Sequence, residues 1–169
     1  LHLLAINSIL DERSAQFIED CKKRASQLGV AAQVHWVTDY QPIEICQRLL
    51  GAADFVVFPY KHTRESASAA VTVGLSTLKP VLVSPLEIFS DLADVTWKMD
   101  GHSAADIVQA VQTLLTPSEA THTLATRQQE WLHSRDWHLL SARLVRTLHA
   151  LRAEQQLGQA TAQARAVEQ

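Results

Sequence analysis

The chain has 169 residues, enough for one domain with a substantial core, with or without an appendage. Its 47% hydrophobic and 20% charged residues are ordinary for a globular protein in water. The net charge of -3 excludes a general nucleic-acid binder, which needs a basic excess to neutralise phosphates, and no apolar run approaches the ~20 residues that span a bilayer.

Short apolar runs alternate with helical patterns, which predicts an α/β layer fold. Leu1 to Ile6 reads as a strand, and its abrupt opening, with no methionine, leads us to expect a fragment cut into at a strand. A helix is expected from Asp11 to Leu28, with Ile18, Cys21, Ala25 and Leu28 on one face and Gly29 as its stop. Gln33 to Val37 forms a second strand. Pro42 opens a helix through Ile43, Cys46, Leu49 and Leu50, closed by Gly51. "DFVVFP", "PVLVS" and "VTWKM" supply three further strands. Strands apolar on both sides are typical of a parallel sheet covered on both faces, with right-handed helical crossovers. The expected class is therefore a doubly wound, Rossmann-like parallel sheet followed by C-terminal helices. One helix starts at Ser103 to Asp106. Another starts at Thr116 and Glu119, which have capping-box spacing. A third is capped by Asp136 and carries Trp137, Leu140, Leu144 and Leu148 at three- and four-residue spacing. Beyond Gly158 the Ala/Gln-rich sequence lacks a wide apolar stripe and reads as a protruding helix or a frayed end. The division is a domain over 1–151 and a helical or disordered tail over 152–169.

Ligands of open parallel sheets bind beyond the carboxyl ends of the strands, near helix N-termini. Three loops lie there: "NSILD", "TDYQP" and "YKHTRES". The third is the richest in chemistry. Lys61 and Arg64 bring cations, and Ser66 or Ser68 can cap the small-residue helix that follows. The free N–H groups at that helix start favour a phosphate or carboxylate. Ala67, Ala69 and Ala70 allow close approach. The competing explanation is a solvated loop before a helix whose small residues pack tightly on the sheet. Cys21 and Cys46 lack CxxC spacing and read as core thiols of a reducing compartment. The eight histidines are scattered and there is no DxD pair, so no metal site is expected. No GxSxG, GK[ST] or GxGxxG motif supports a hydrolase, P-loop or dinucleotide reading. Trp36, Trp97, Trp131 and Trp137 are expected to fill packing positions.

The stretch "ADFVVFPYKHTRESASAAVTVGLSTLKPVLVS" resembles the nucleotide-sugar-binding half of the group 1 family of GT-B glycosyltransferases. That family has a strand running into a proline and a loop. A glutamate follows, then seven residues, a second glutamate and a small-residue stretch ending in G-[KR]-P-V. Ala53 to Pro59 fit the strand, Glu65 the first glutamate, and Leu78, Lys79, Pro80 and Val81 the end. "AAQVHWVTDYQPIEICQRLLGAADFVVFPY" and "SRDWHLLSARLVRTLHAL" extend the likeness to residues 1–151.

The resemblance implies the C-terminal half of a GT-B fold, in a cytoplasmic enzyme peripheral to the inner membrane surface. Such an enzyme transfers a sugar, with retention, from a nucleotide-sugar donor to a glycan or lipid-linked acceptor. No cofactor and no metal are implied. Glu65 would orient the sugar, while Lys61, Arg64 and the backbone of Ser66, Ala67, Ser68 and Ala69 would hold the diphosphate. Asp39 and Tyr40 are candidates for the base-binding wall, with an ordinary loop aspartate before a helix as the alternative. Glu65 has its own bland alternative, a carboxylate that complements a helix dipole. Two departures stand out. Val73 occupies the second glutamate's position, and an aliphatic side chain cannot grip a ribose. The acceptor domain and first strand–helix unit are also missing from the likeness, so the fragment alone is expected to be inactive. A non-catalytic interaction or docking domain of the same fold is the alternative.

Overall fold

The computed structural model of the chain describes residues 1–167 other than Ser8, Leu10, Arg64 and Pro117; at Leu157 and at 159–167 it describes the backbone alone. Strand β1 (Leu3–Ile6) leads into α1 (Glu12–Gln27), and β2 (Val34–Val37) leads into α2 (Ile43–Gly51). Strand β3 (Val56–Phe58) precedes α3 (Ala69–Leu75), β4 (Val81–Val83) precedes a 3-10 helix (Glu87–Leu92), and β5 (Trp97–Lys98) precedes α4 (Ala104–Leu115). Two further helices follow, α5 (Glu119–Ser134) and α6 (Trp137–Val167).

Local chemistry explains most boundaries. Asp11 caps α1 by accepting from the Ser14 N–H at 2.7 Å, and Ser14 Oγ accepts in return from the Asp11 N–H at 3.0 Å. Gly29 ends that helix at φ +71, a left-handed conformation open to glycine. Ser103 and Asp106 make the same reciprocal cap on α4. Two expectations shift. The cap of α5 is Ser118, paired with Thr121, rather than Thr116, and the proline of the expected motif, Pro117, lies outside the described residues. Pro42 stands at the N-cap of α2, one residue before its first turn. The tail is helical: α6 passes residue 152 without a break.

Every strand pair is parallel, but hydrogen bonding divides the strands into two sheets, β1–β2 and β3–β4–β5. In the three-stranded sheet β4 is central and wholly buried, and its side chains alternate between two cores. Val81 and Val83 pack with Val71 and Leu75 of α3 and with Ile88, Phe89 and Leu92 of the 3-10 helix. Leu82 faces the other way, onto Met99 and Ala110, with Ile107, Val111 and Leu114 of α4 around them. Helices thus cover both faces, as the two-sided apolar strands require. The Gln47 side-chain amide of α2 donates to Ser76 Oγ at 3.0 Å and so links the crossover helix to the end of α3.

The turn after α3 carries Leu78 at φ 58, in the left-handed region where the family motif has glycine. Trp137 departs from its expected packing role: it is 80% exposed.

Candidate functional site

Within each sheet the strands point the same way, so their carboxyl ends share one edge. In the larger sheet that edge is stitched beyond the strands. Both the N–H and the Oγ of Ser84 donate to the Phe58 carbonyl, at 3.2 and 3.3 Å, and the Met99 N–H donates to the Val83 carbonyl at 2.9 Å. The β3–α3 loop springs from this frame.

Tyr60 anchors the loop. Its ring stands edge-on to Phe58, with centroids 6.2 Å apart, and tilts against Phe89 at 5.5 Å. Its hydroxyl lies 3.4 Å from Ser68 Oγ, at the far end of the loop. Its carbonyl meets the His102 ring at 2.9 Å, from the loop after β5. Tyr60 at the start of the loop and Ser68 at its end are therefore joined by one contact.

Ser68 is the cap of α3: it is buried, and its Oγ accepts from the Val71 N–H at 3.4 Å. Ser66 is exposed and makes no capping bond among the described residues. The N–H groups of Ser66, Ala67, Ala69 and Ala70 have no acceptor among the described residues. Ala67, Ala69 and Ala70 are exposed. The small residue that packing demands is a different one, Gly74. A Cβ at that position would meet the Phe58 ring at 3.0 Å. The two explanations of the small-residue helix thus apply to different residues, with packing at Gly74 and an open backbone at Ala67, Ala69 and Ala70. The helix is short, seven residues, so its dipole is weak and discrete N–H donors matter more.

Lys61 and Glu65 are exposed, and neither takes part in an ion pair among the described residues. The Glu65 N–H donates to Thr63 Oγ1 at 3.1 Å. Arg64 lies outside the described residues. Asp39 and Tyr40 follow β2, in the smaller sheet, and both are exposed. No side-chain hydrogen bond joins either to the β3–α3 loop among the described residues. Val73 is half-buried on α3.

Sequence reasoning missed His102 and the anchoring role of Tyr60. Each lies far along the chain from what it holds, and no local pattern marks either. Asp106, beside His102, has its carboxyl held below the ordinary value by hydrogen bonds from the Ser103 hydroxyl and N–H, with a smaller contribution from the His102 charge. Among the described residues no three His, Cys, Asp or Glu side chains converge as a metal site would need. The scattered histidines do yield one pair, His2 Nδ1 and His35 Nε2 at 3.2 Å. A shallow groove of about 440 Å³ lies elsewhere, between Asp94 and Trp97 and the first turns of α5, beside the amino end of β5. It holds the loose Arg127–Asp94 pair at 3.9 Å. The groove lies away from the strand carboxyl edge, where ligands of open parallel sheets bind.

No family model matches the sequence, and no curated protein matches it. Solved structures do share the fold. HepE from Anabaena, in complex with UDP, aligns at a TM-score of 0.70 and 14% identity, over 89% of this chain and 41% of that one. HepE has also been solved with UDP-glucose. Sucrose-phosphate synthase from Thermosynechococcus elongatus aligns at 0.69 and 14% identity, over 90% of this chain and 39% of that one. The C-terminal domain of a group 1 family glycosyl transferase (LpcC) from Francisella tularensis aligns at 0.61 and 12% identity, over 74% of this chain and 65% of that one. The chain spans well under half the length of the first two. At such identities the likeness is one of fold, the α/β Rossmann-like half of a GT-B glycosyltransferase.

Proposed function

We propose that this chain is the donor-binding, C-terminal half of a retaining group 1 glycosyltransferase, which transfers a sugar from a nucleotide sugar to a glycan or lipid-linked acceptor. The observation that carries the reading is the β3–α3 loop at the carboxyl edge of such a fold, whose ends Tyr60 and Ser68 join and whose N–H groups at Ser66, Ala67, Ala69 and Ala70 have no acceptor among the described residues. The loop is suited to a leaving diphosphate: preorganised donors stabilise charge that develops there, with little reorganisation. The N–H groups of Ser66, Ala67, Ala69 and Ala70 hold the phosphates, with Lys61 and Arg64 completing the charge. Glu65, without an ion-pair partner among the described residues, accepts hydrogen bonds from the sugar hydroxyls and orients the sugar. Asp39 and Tyr40 form the base-side wall when the donor spans both sheets. Binding needs no metal, and the protein works in the cytoplasm, peripheral to the inner membrane surface.

Val73 favours one further reading. Its aliphatic side chain gives a ribose no acceptor, as suits an interaction domain that has lost its donor. Calorimetric titration of the whole chain with UDP and with UDP-glucose separates the two. The donor-binding reading expects saturable binding of both, unchanged by EDTA. Glu65→Gln should weaken UDP-glucose by about tenfold, roughly 1.4 kcal/mol, and leave UDP almost unaffected. In the complete enzyme it should lower transfer by about tenfold to a hundredfold, roughly 1.4–2.7 kcal/mol of transition-state stabilisation. Failure to bind either ligand at millimolar concentration would sink the donor-binding reading in favour of the interaction domain.

A further inference from the structure

The loop between β5 and α4 is built tightly around His102. On one side stands Gly101, where a Cβ would meet the Asp106 carboxylate at 2.5 Å, so only glycine fits. On the other stands Ser103, whose N–H and Oγ both donate to Asp106 Oδ2, at 2.8 and 2.6 Å. Helix α4 is itself fixed to the sheet, with Ile107, Val111 and Leu114 packed about Leu82 and Met99. His102 therefore extends from a rigid base. Its Nδ1 lies 2.9 Å from the Tyr60 carbonyl, 42 residues earlier in the chain. A carbonyl oxygen can only accept, so Nδ1 carries the ring proton. Among the described residues no other group donates to that carbonyl.

The bond fixes more than one atom. The peptide joining Tyr60 to Lys61 is planar and trans, so the Tyr60 carbonyl and the Lys61 N–H point in opposite directions. Holding the carbonyl toward the β5–α4 loop turns the Lys61 N–H away from it and sets the direction in which Lys61 leaves. The Tyr60 ring is held separately, by Phe58 and Phe89, and its hydroxyl meets Ser68. Those ring contacts do not fix the rotation of the peptide that follows; the bond to His102 does. We propose that His102 is a positioning residue for the donor's diphosphate: its Nδ1–H locks the first peptide of the β3–α3 loop and so presets Lys61, and the loop behind it, for the phosphates. The assignment rests on the donor-binding reading. A loop set beforehand binds more tightly, because the ligand does not have to order it.

Calorimetric titration with UDP tests this on the wild-type chain and three variants. His102→Ala removes the donor, and His102→Gln moves it one bond outward. Both should weaken UDP binding by about three- to tenfold, the worth of one hydrogen bond. His102→Asn, whose amide N–H comes close to the place of Nδ1, should bind within about twofold of wild type. Thermal unfolding of all three should stay within about 2 °C of wild type, since the side chain is exposed. Nitrogen NMR of the neutral His102 ring should find its proton on Nδ1. Failure of the wild-type chain to bind UDP would overturn the donor-binding reading and this role with it. Wild-type binding matched by His102→Ala would leave donor binding in place and overturn the role of His102 alone. An Asn variant as weak as the Ala one would overturn it too, as would a neutral ring protonated on Nε2 or a loss of binding that tracked a fall in Tm.

Discussion

Substituting alanine at three glycines should give outcomes of two signs, and the comparison tests how α3 sits on the sheet that carries the loop. At Gly51, the last residue of α2, a Cβ meets nothing within 4 Å. Gly51→Ala therefore restricts the unfolded chain and favours helix, a gain of about 0.4–1 kcal/mol. At Gly29 the space is equally open, but φ is +71, so Gly29→Ala should cost roughly 1 kcal/mol. Gly74 sets two effects against each other. Helix propensity gains about 0.5–1 kcal/mol. Against this, the new Cβ would stand 3.0 Å from Phe58 Cε2, 3.3 Å from Cζ and 3.6 Å from Val81 Cγ2. The ring must yield, yet it is braced by Tyr60 and lies against the buried core of α3 and β4. Overpacking of this kind costs about 1–3 kcal/mol, so the net loss should be about 1 kcal/mol. For a chain of this size, 1 kcal/mol moves Tm by roughly 2–4 °C. Differential scanning calorimetry of the three variants should show Gly51→Ala above wild type and the other two below it. A Gly74→Ala variant raised as far as Gly51→Ala would refute the close approach of α3 to β3, and with it the account of how Tyr60 is held.

Leu78→Gly should raise stability slightly, by about 0.5 kcal/mol, because relief of a left-handed conformation worth about 1–2 kcal/mol exceeds the added chain entropy; a fall in Tm would argue against strain at that turn. Gln128 is 1% exposed and its amide donates to the Val95 carbonyl at 2.9 Å. Gln128→Met, which strands that carbonyl, should cost about 1–2 kcal/mol, and Gln128→Ala, which also opens a cavity, about 3 kcal/mol by chemical denaturation. Equal effects would mean that the hydrogen bond contributes little. The Asp106 carboxyl is held below its ordinary 3.8, so its contribution to stability is present above that value and lost as pH falls through the lower folded-state value. The Tm difference between wild type and Asp106→Asn should thus be present near neutral pH and close below pH 3.8; a gap constant down the acid limb would exclude the cap as its source.

Much of the fold was legible because its signals are local. Asp11 and Ser14, or Ser103 and Asp106, are three residues apart, and a helix start is decided within that distance. The left-handed turn at Gly29 needs only the absence of a Cβ. The two-sided apolar strands told of a parallel sheet, since burial on both faces leaves no polar alternation, and β4 is buried at every position. The tertiary structure alone decided the rest. The contact between His102 and Tyr60 spans 42 residues, and a carbonyl as acceptor puts no requirement on the identity of the residue that bears it. Whether a small residue serves packing or an open backbone depends on what stands opposite. Gly74 faces a ring while Ala69 and Ala70 face solvent, although all three lie in one seven-residue helix. The exposure of Trp137 was hidden for the same reason, because an apolar period marks a face that can be buried and leaves open whether this chain supplies the cover.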